Sequence, residues 1–153
     1  MTKLLLSIHV LASILVVGPI AVAASLFPRY ARMAGEDGRS AGAAALLHRI
    51  CGGYAIVGVT VPVFGIATGA QLGVLTDIWL ITSIVLTSIA AAILALAILP
   101  GQERMIETSA AGAPGDETSR TAARLAGLTG VFNLLWAVVV VLMIVRPGST
   151  TSA

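Results

Sequence analysis

Four long apolar runs without a formal charge divide the chain: Leu4–Phe27, Ile50–Leu75, Ile78–Leu99 and Leu125–Val145. Each reaches the roughly 20 residues that cross the hydrocarbon core of a bilayer. No water there satisfies backbone N–H and C=O groups, so a spanning segment must close its hydrogen bonds internally, as a helix or within a sealed barrel. The valines of the last run, Val138–Val141, favour a strand in water, but no period-two alternation supports a barrel. The pattern predicts an all-α fold, a four-transmembrane-helix bundle in a single membrane domain, with helices over about 4–27, 50–75, 78–99 and 125–145. The connections are expected at 28–49 and 100–124, with a flexible tail at 147–153. Within the second connection, Glu107–Glu117 (ETSAAGAPGDE) has almost nothing to bury and reads as a mobile loop. Ser40 and Asp116 are the expected N-caps of helices leading into the second and fourth spans. Thr76-Asp77 is barely a turn and should force spans two and three into an antiparallel hairpin.

Composition agrees with this reading. Of 153 residues, 58% are hydrophobic and 10% charged, against about 25% charged in an ordinary soluble domain, and the mean hydropathy is +1.00. Nine basic residues against seven acidic ones are too few for a phosphate-binding surface, so no nucleic-acid partner is expected. All these charges fall outside the four runs, and their distribution predicts topology. Lys3 and Arg146 flank one side, while Arg29, Arg32, Arg39, Arg49, Arg104, Arg120 and Arg124 crowd the other. The arginine-rich side is expected to be cytoplasmic, with both termini extracytoplasmic. Arg29, Arg32, Arg49, Arg120 and Arg124 are the expected contacts to anionic lipid head groups, the bilayer being the first partner. A second reading treats the first run, which contains Pro19 and Ala21-Val22-Ala23, as a cleavable signal peptide. It would leave three spans and move four arginines to the outside, against the charge bias.

Helices in lipid associate through small residues that let backbones approach. Gly65, Gly69 and Gly73 repeat every fourth residue in span two, with Gly58 one heptad earlier. Span three carries Ser83, Thr87, Ala91 and Ala95 at the same spacing, and span four carries Ala126, Gly130, Asn133 and Ala137. These stripes are expected to pack inside the bundle, or to form an oligomer or partner surface. Pro62 should kink span two, because it lacks an N–H and its ring crowds the preceding turn. Thr60 is placed to satisfy a freed carbonyl.

Few residues remain for chemistry. His9 lies near the outer end of span one and His48 near the inner end of span two, beside Arg49 and Cys51. About 18 residues separate His9 from the inner end of its helix, or about 27 Å at 1.5 Å per residue. The two histidines therefore cannot share one haem or metal within a chain. His9 with Met143 makes a soft pair suited to copper, and Asp77 could orient the imidazole. The plainer alternative is a neutral His9 hydrogen-bonded to a hydroxyl or carbonyl of a neighbouring span. One cysteine excludes a paired-thiol oxidoreductase, and the absence of Asp or Glu from the runs excludes a proton-coupled antiporter with an embedded carboxylate. Buried Arg, Asn and Glu of a membrane glutathione transferase type are missing as a set.

The opening Leu4-Leu5-x-Ser7-Ile8-His9-Val10-Leu11-Ala12, the downstream Gly18 and the exit Met143-Ile144-Val145-Arg146-Pro147-Gly148 resemble a family of uncharacterised bacterial four-span membrane proteins. The same opening looks like the membrane part of the copper resistance protein D group. The resemblance implies the four-span fold and a bacterial cytoplasmic membrane; eight arginines against one lysine fit a GC-rich bacterial genome. The expected function is a non-catalytic structural or accessory subunit of a larger membrane complex, or a self-associating bundle, without a cofactor. The alternatives are a copper- or haem-handling protein using His9 and a small homo-oligomeric transporter.

Overall fold

The computed structural model describes residues 1–112 and 115–148. Helix α1 spans Thr2–Met33, α2 Gly38–Val57, α3 Thr60–Leu72, α4 Ile78–Ile93, α5 Leu99–Ala110 and α6 Gly115–Val145. A five-residue π-helical stretch, Leu94–Ile98, carries α4 into α5. Counting α2 with α3 and α4 with α5, four rods of 31–35 residues are long and apolar enough to cross a membrane.

Each rod outruns its apolar stretch, and all four do so at the arginine-rich end. The segments expected as connections, 28–49 and 100–124, are mostly helix; among the described residues there, turns fall at 34–36 and 111–112. Of the loop expected over Glu107–Glu117, 107–110 and 115–117 are helix and 111–112 form a turn; 113 and 114 lie outside the described residues, as do 149–153 of the expected tail. The surplus runs from six residues in α1 to twelve in α2, or about 9 to 18 Å of helix at 1.5 Å per residue. It forms an extension of the bundle with its own core. Fully buried Phe27 and Met105 pack there with Ala31, Ala44, Ala122 and Leu125. The lipid-crossing core is separate, built from residues such as Val16, Ile20, Ala23, Cys51, Ile98 and Phe132.

Caps differ from expectation by a few residues. Asp37, not Ser40, caps α2: its carboxylate accepts from the Ser40 backbone N–H and from the Ser40 hydroxyl, both at 2.8 Å. Asp116 lies inside the first turn of α6, where its charge favours the positive helix end.

Helix α1 packs on α2, α3 and α6, and α6 also packs on α4. The antiparallel contact with span two follows heptads running in opposite directions. His9 covers Gly65 and, seven residues on, Val16 covers Gly58. Another seven on, Ala23 and Cys51 share the lipid-crossing core, and then Tyr30 and Ala44 share the extension core. This regular spacing is the signature of shallow-angle helix packing.

Spans two and three are joined by the short connection expected, and they pack on each other near their two ends. Helices α3 and α4 meet near their shared turn, where Leu80 and Leu75 fill the space over Gly69. The rods meet again where α2 packs on α5. Gly73 is a turn residue and not a packing one. Its φ of 69° ends α3 in the left-handed region, with Val74 N–H donating to the Gly69 carbonyl at 3.1 Å. Ser83 is buried and donates to the Trp79 carbonyl, while Thr87 is half-buried and Ala91 and Ala95 face outward. Gly130, Ala126 and Ala137 also face outward, so their stripe is not packed within the chain.

Pro62 acts as expected, and the break falls just before it. The helix opens at Gly58-Val59 between α2 and α3. There Val61 N–H donates to Gly58 C=O in a tightened turn, and the Thr60 hydroxyl donates to the Val57 carbonyl at 2.7 Å. Pro100 brings the same steric problem to span three, and there the helix widens into π geometry, with Leu99 N–H reaching back to Leu94 C=O.

Candidate functional site

His9 is buried against the broken part of span two. Its Nδ1–H donates to the Val61 carbonyl at 2.9 Å, one residue before the proline. The ring lies against Gly65, whose missing side chain makes room for it: a Cβ there would sit 2.8 Å from His9 Cε1. The backbone carbonyl can only accept, so Nδ1 carries the proton and Nε2 is the ring atom left for any further ligand. The imidazole thus ties the first helix to the least regular backbone of the second.

Helical rise sets His9 and Met143 at different depths. Asn133 donates to Ser25 Oγ at 3.4 Å, which fixes the register of α6 on α1. Met143 lies ten residues beyond Asn133 and His9 sixteen before Ser25. They therefore differ in depth by about six residues, or about 9 Å. The Val61 carbonyl, not Asp77, holds the imidazole at Nδ1, and the Asp77 carboxylate accepts from Trp79 Nε1 at 3.0 Å. Among the described residues no three His, Cys, Asp or Glu side chains gather as a metal set.

A second polar group sits where the two cores meet. His48 Nδ1 donates to Gln102 Oε1 at 3.0 Å, and Gln102 Nε2 donates to Cys51 Sγ at 3.6 Å. Gln102 and Cys51 are fully buried. Through these two contacts the amide bridges α5 to α2. Sequence reasoning found His48 and Cys51 but missed Gln102. The signal was an uncharged polar residue just past Pro100-Gly101, ahead of the charged Glu103-Arg104 pair. Gly101 brings α5 close to α6, since a Cβ there would meet Leu125 Cδ2 at 2.7 Å.

A third feature lies on α6. Thr129, Asn133 and Trp136 follow one another at helical spacing, and Thr129 Oγ1, Asn133 Oδ1 and Trp136 Nε1 are buried without a partner. At the far end Trp79 is buried, and Arg146 stacks over it 5.6 Å from the ring centre. Arg146 has φ 44° and turns the chain off α6, donating from Nε to the Met143 carbonyl. That contact gives the Arg-Pro-Gly exit a physical role, pinning the end of span four to the start of span three.

At the opposite end Arg29, Arg32, Arg49, Arg120 and Arg124 are all exposed. None makes an ion pair or hydrogen bond to a described residue, which leaves their guanidinium groups open to phosphates.

Four membrane-crossing helices, uncharged through the lipid and closed by polar contacts at both ends, define a polytopic integral membrane protein. The chain belongs to the family described as Predicted integral membrane protein (DUF2269), whose model matches residues 3–147. No curated protein and no solved structure matches it.

Proposed function

We propose that the protein is a non-catalytic helical subunit of a bacterial cytoplasmic membrane that assembles side by side with a larger membrane complex or with a second copy of itself. The observation that carries this reading is the outward face of α6. Ala123, Ala126, Gly127, Gly130 and Ala137 are all exposed there, and a Cβ added at Gly127 or Gly130 meets nothing within 4 Å. Small residues on an outer helix face gain little from lipid, but they let another helix approach closely. The arginine-rich extension faces the cytoplasm in this reading, supported by the charge bias alone.

Purification in a mild detergent followed by native mass spectrometry tests the proposal. The wild-type protein should emerge in fixed ratio with a partner or as a defined oligomer. Gly130→Leu should release it as a monomer with unchanged helical circular dichroism. A wild-type chain recovered only as a monomer overturns the reading.

A further inference from the structure

A shallow open groove of about 440 Å³ runs along the surface of α2, lined by Arg49, Ile50, Gly53, Tyr54 and Val57. Gly53 keeps the groove open because it carries no side chain, and a Cβ added there meets nothing within 4 Å. Its two ends differ chemically. Arg49 is exposed at one end, with no ion pair or hydrogen bond to a described residue. Past Arg49 the uncharged run Ile50–Leu75 begins, so the guanidinium sits at head-group depth. Tyr54 lies just over one turn deeper and is 38% exposed, a position where a phenol meets the ester region of a bilayer. Val57 closes the other end, eight residues or about 12 Å further into the hydrocarbon than Arg49.

We propose that this groove retains one anionic phospholipid. The lipid phosphate pairs with Arg49, the glycerol ester region lies beside the Tyr54 hydroxyl, and an acyl chain occupies the channel over Gly53 towards Val57. The gradient from cation to phenol to apolar channel, in the same order as the depth in the bilayer, matches a phospholipid from head to tail. A guanidinium binds the lipid phosphodiester with two parallel N–H donors, and its charge favours a lipid with a net negative charge over one whose phosphate is balanced by a head-group cation.

The test uses the purified full-length protein, equilibrated with equal amounts of phosphatidylglycerol and phosphatidylcholine and read by native mass spectrometry. The wild type should retain phosphatidylglycerol in preference. Arg49→Gln should cut that retention about fivefold, as expected from about 1 kcal/mol per interfacial arginine. Gly53→Leu, which fills the channel from its floor, should lower retention of both lipids. Arg39→Gln, in the first turn of α2, should leave retention unchanged. Equal retention of the two lipids by the wild type overturns the proposal, as does an Arg49→Gln variant that binds like the wild type. An equal loss from Arg39→Gln would reveal diffuse surface attraction in place of a site. Displacement of the lipid by millimolar inorganic phosphate would reduce the groove to an anion contact and likewise overturn it.

Discussion

Glycines that look alike in the sequence do three different jobs here. Gly65 is a socket for the His9 ring, Gly73 is a left-handed turn, and Gly130 faces outward with nothing above it. Spacing every fourth residue identified small positions but not what stands opposite them, because that depends on the partner helix. His9 was legible as a polar residue needing a partner. Its acceptor was not, since the Val61 carbonyl is backbone and leaves no mark in the side-chain pattern. These assignments predict unequal costs for the same substitution. Gly65→Ala forces its methyl into the imidazole, and overpacking of this kind costs about 1–3 kcal/mol, partly offset by about 1 kcal/mol of helix propensity. Gly130→Ala meets nothing and should be neutral or stabilising for the isolated chain. His9→Ala loses one hydrogen bond, about 1 kcal/mol. Combined with Gly65→Ala it should cost less than the two single losses together, because it removes the clash. Thermal unfolding in a detergent harsh enough to dissociate any assembly measures all four variants. Additive losses would show that ring and glycine do not meet.

Helix boundaries were the least legible feature of the elements. Hydropathy marks where lipid begins, and helices here ignore that boundary. Ala31 and Met105 are small or flexible and are flanked by arginines and carboxylates, so their segments read as loops, whereas Ala44 and Ala122 fall in the helices expected after Ser40 and Asp116. Pro62 was legible because its covalent chemistry acts locally; Pro100 leads to a widened helix, and no local signal separates that outcome from a break. The start of α2 gives the element its pH dependence. The Ser40 backbone N–H, helped by the Ser40 hydroxyl, holds the Asp37 carboxyl below its ordinary value of 3.8. A lowered folded value means that the cap's contribution is complete above the unfolded carboxylate range and is lost as pH falls through the folded value. Amides at the start of α2 should therefore exchange faster on acidification below about pH 4, and Asp37→Asn should remove most of that pH dependence. Hydrogen exchange of the Arg39–Ala41 segment, corrected for intrinsic rates, checks it; a profile unchanged by Asp37→Asn would deny the cap its role.

At the scale of the whole molecule the bundle is two stacked cores sharing continuous helices. Lipid supplies little drive for helices to associate, so the lipid-crossing core depends on close packing and hydrogen bonds. The extension core begins at the arginine-rich edge of the apolar runs, at Phe27 and Leu125, and continues past them, where apolar burial adds its own drive. The Gln102 bridge between His48 and Cys51 lies where one regime gives way to the other. This division makes the two halves separable by mutation. Met105 is fully buried and belongs to the extension core, not to the lipid-crossing one. Met105→Ala should cost about 2–5 kcal/mol, spent locally because the membrane-crossing rods keep their own contacts. Loosened helix ends become protease substrates when their open form is populated. Trypsin should then cut the variant at Arg104, Arg120 and Arg124 faster than the wild type. The fragments should remain membrane-bound and helical. The sidedness of the same experiment reads topology. Cleavage in inside-out vesicles but not in right-side-out ones puts the extension core in the cytoplasm, where the seven-arginine bias predicts it. Wild-type rates in Met105→Ala would mean that the extension does not depend on its buried core, and cleavage from the opposite face would reverse the orientation.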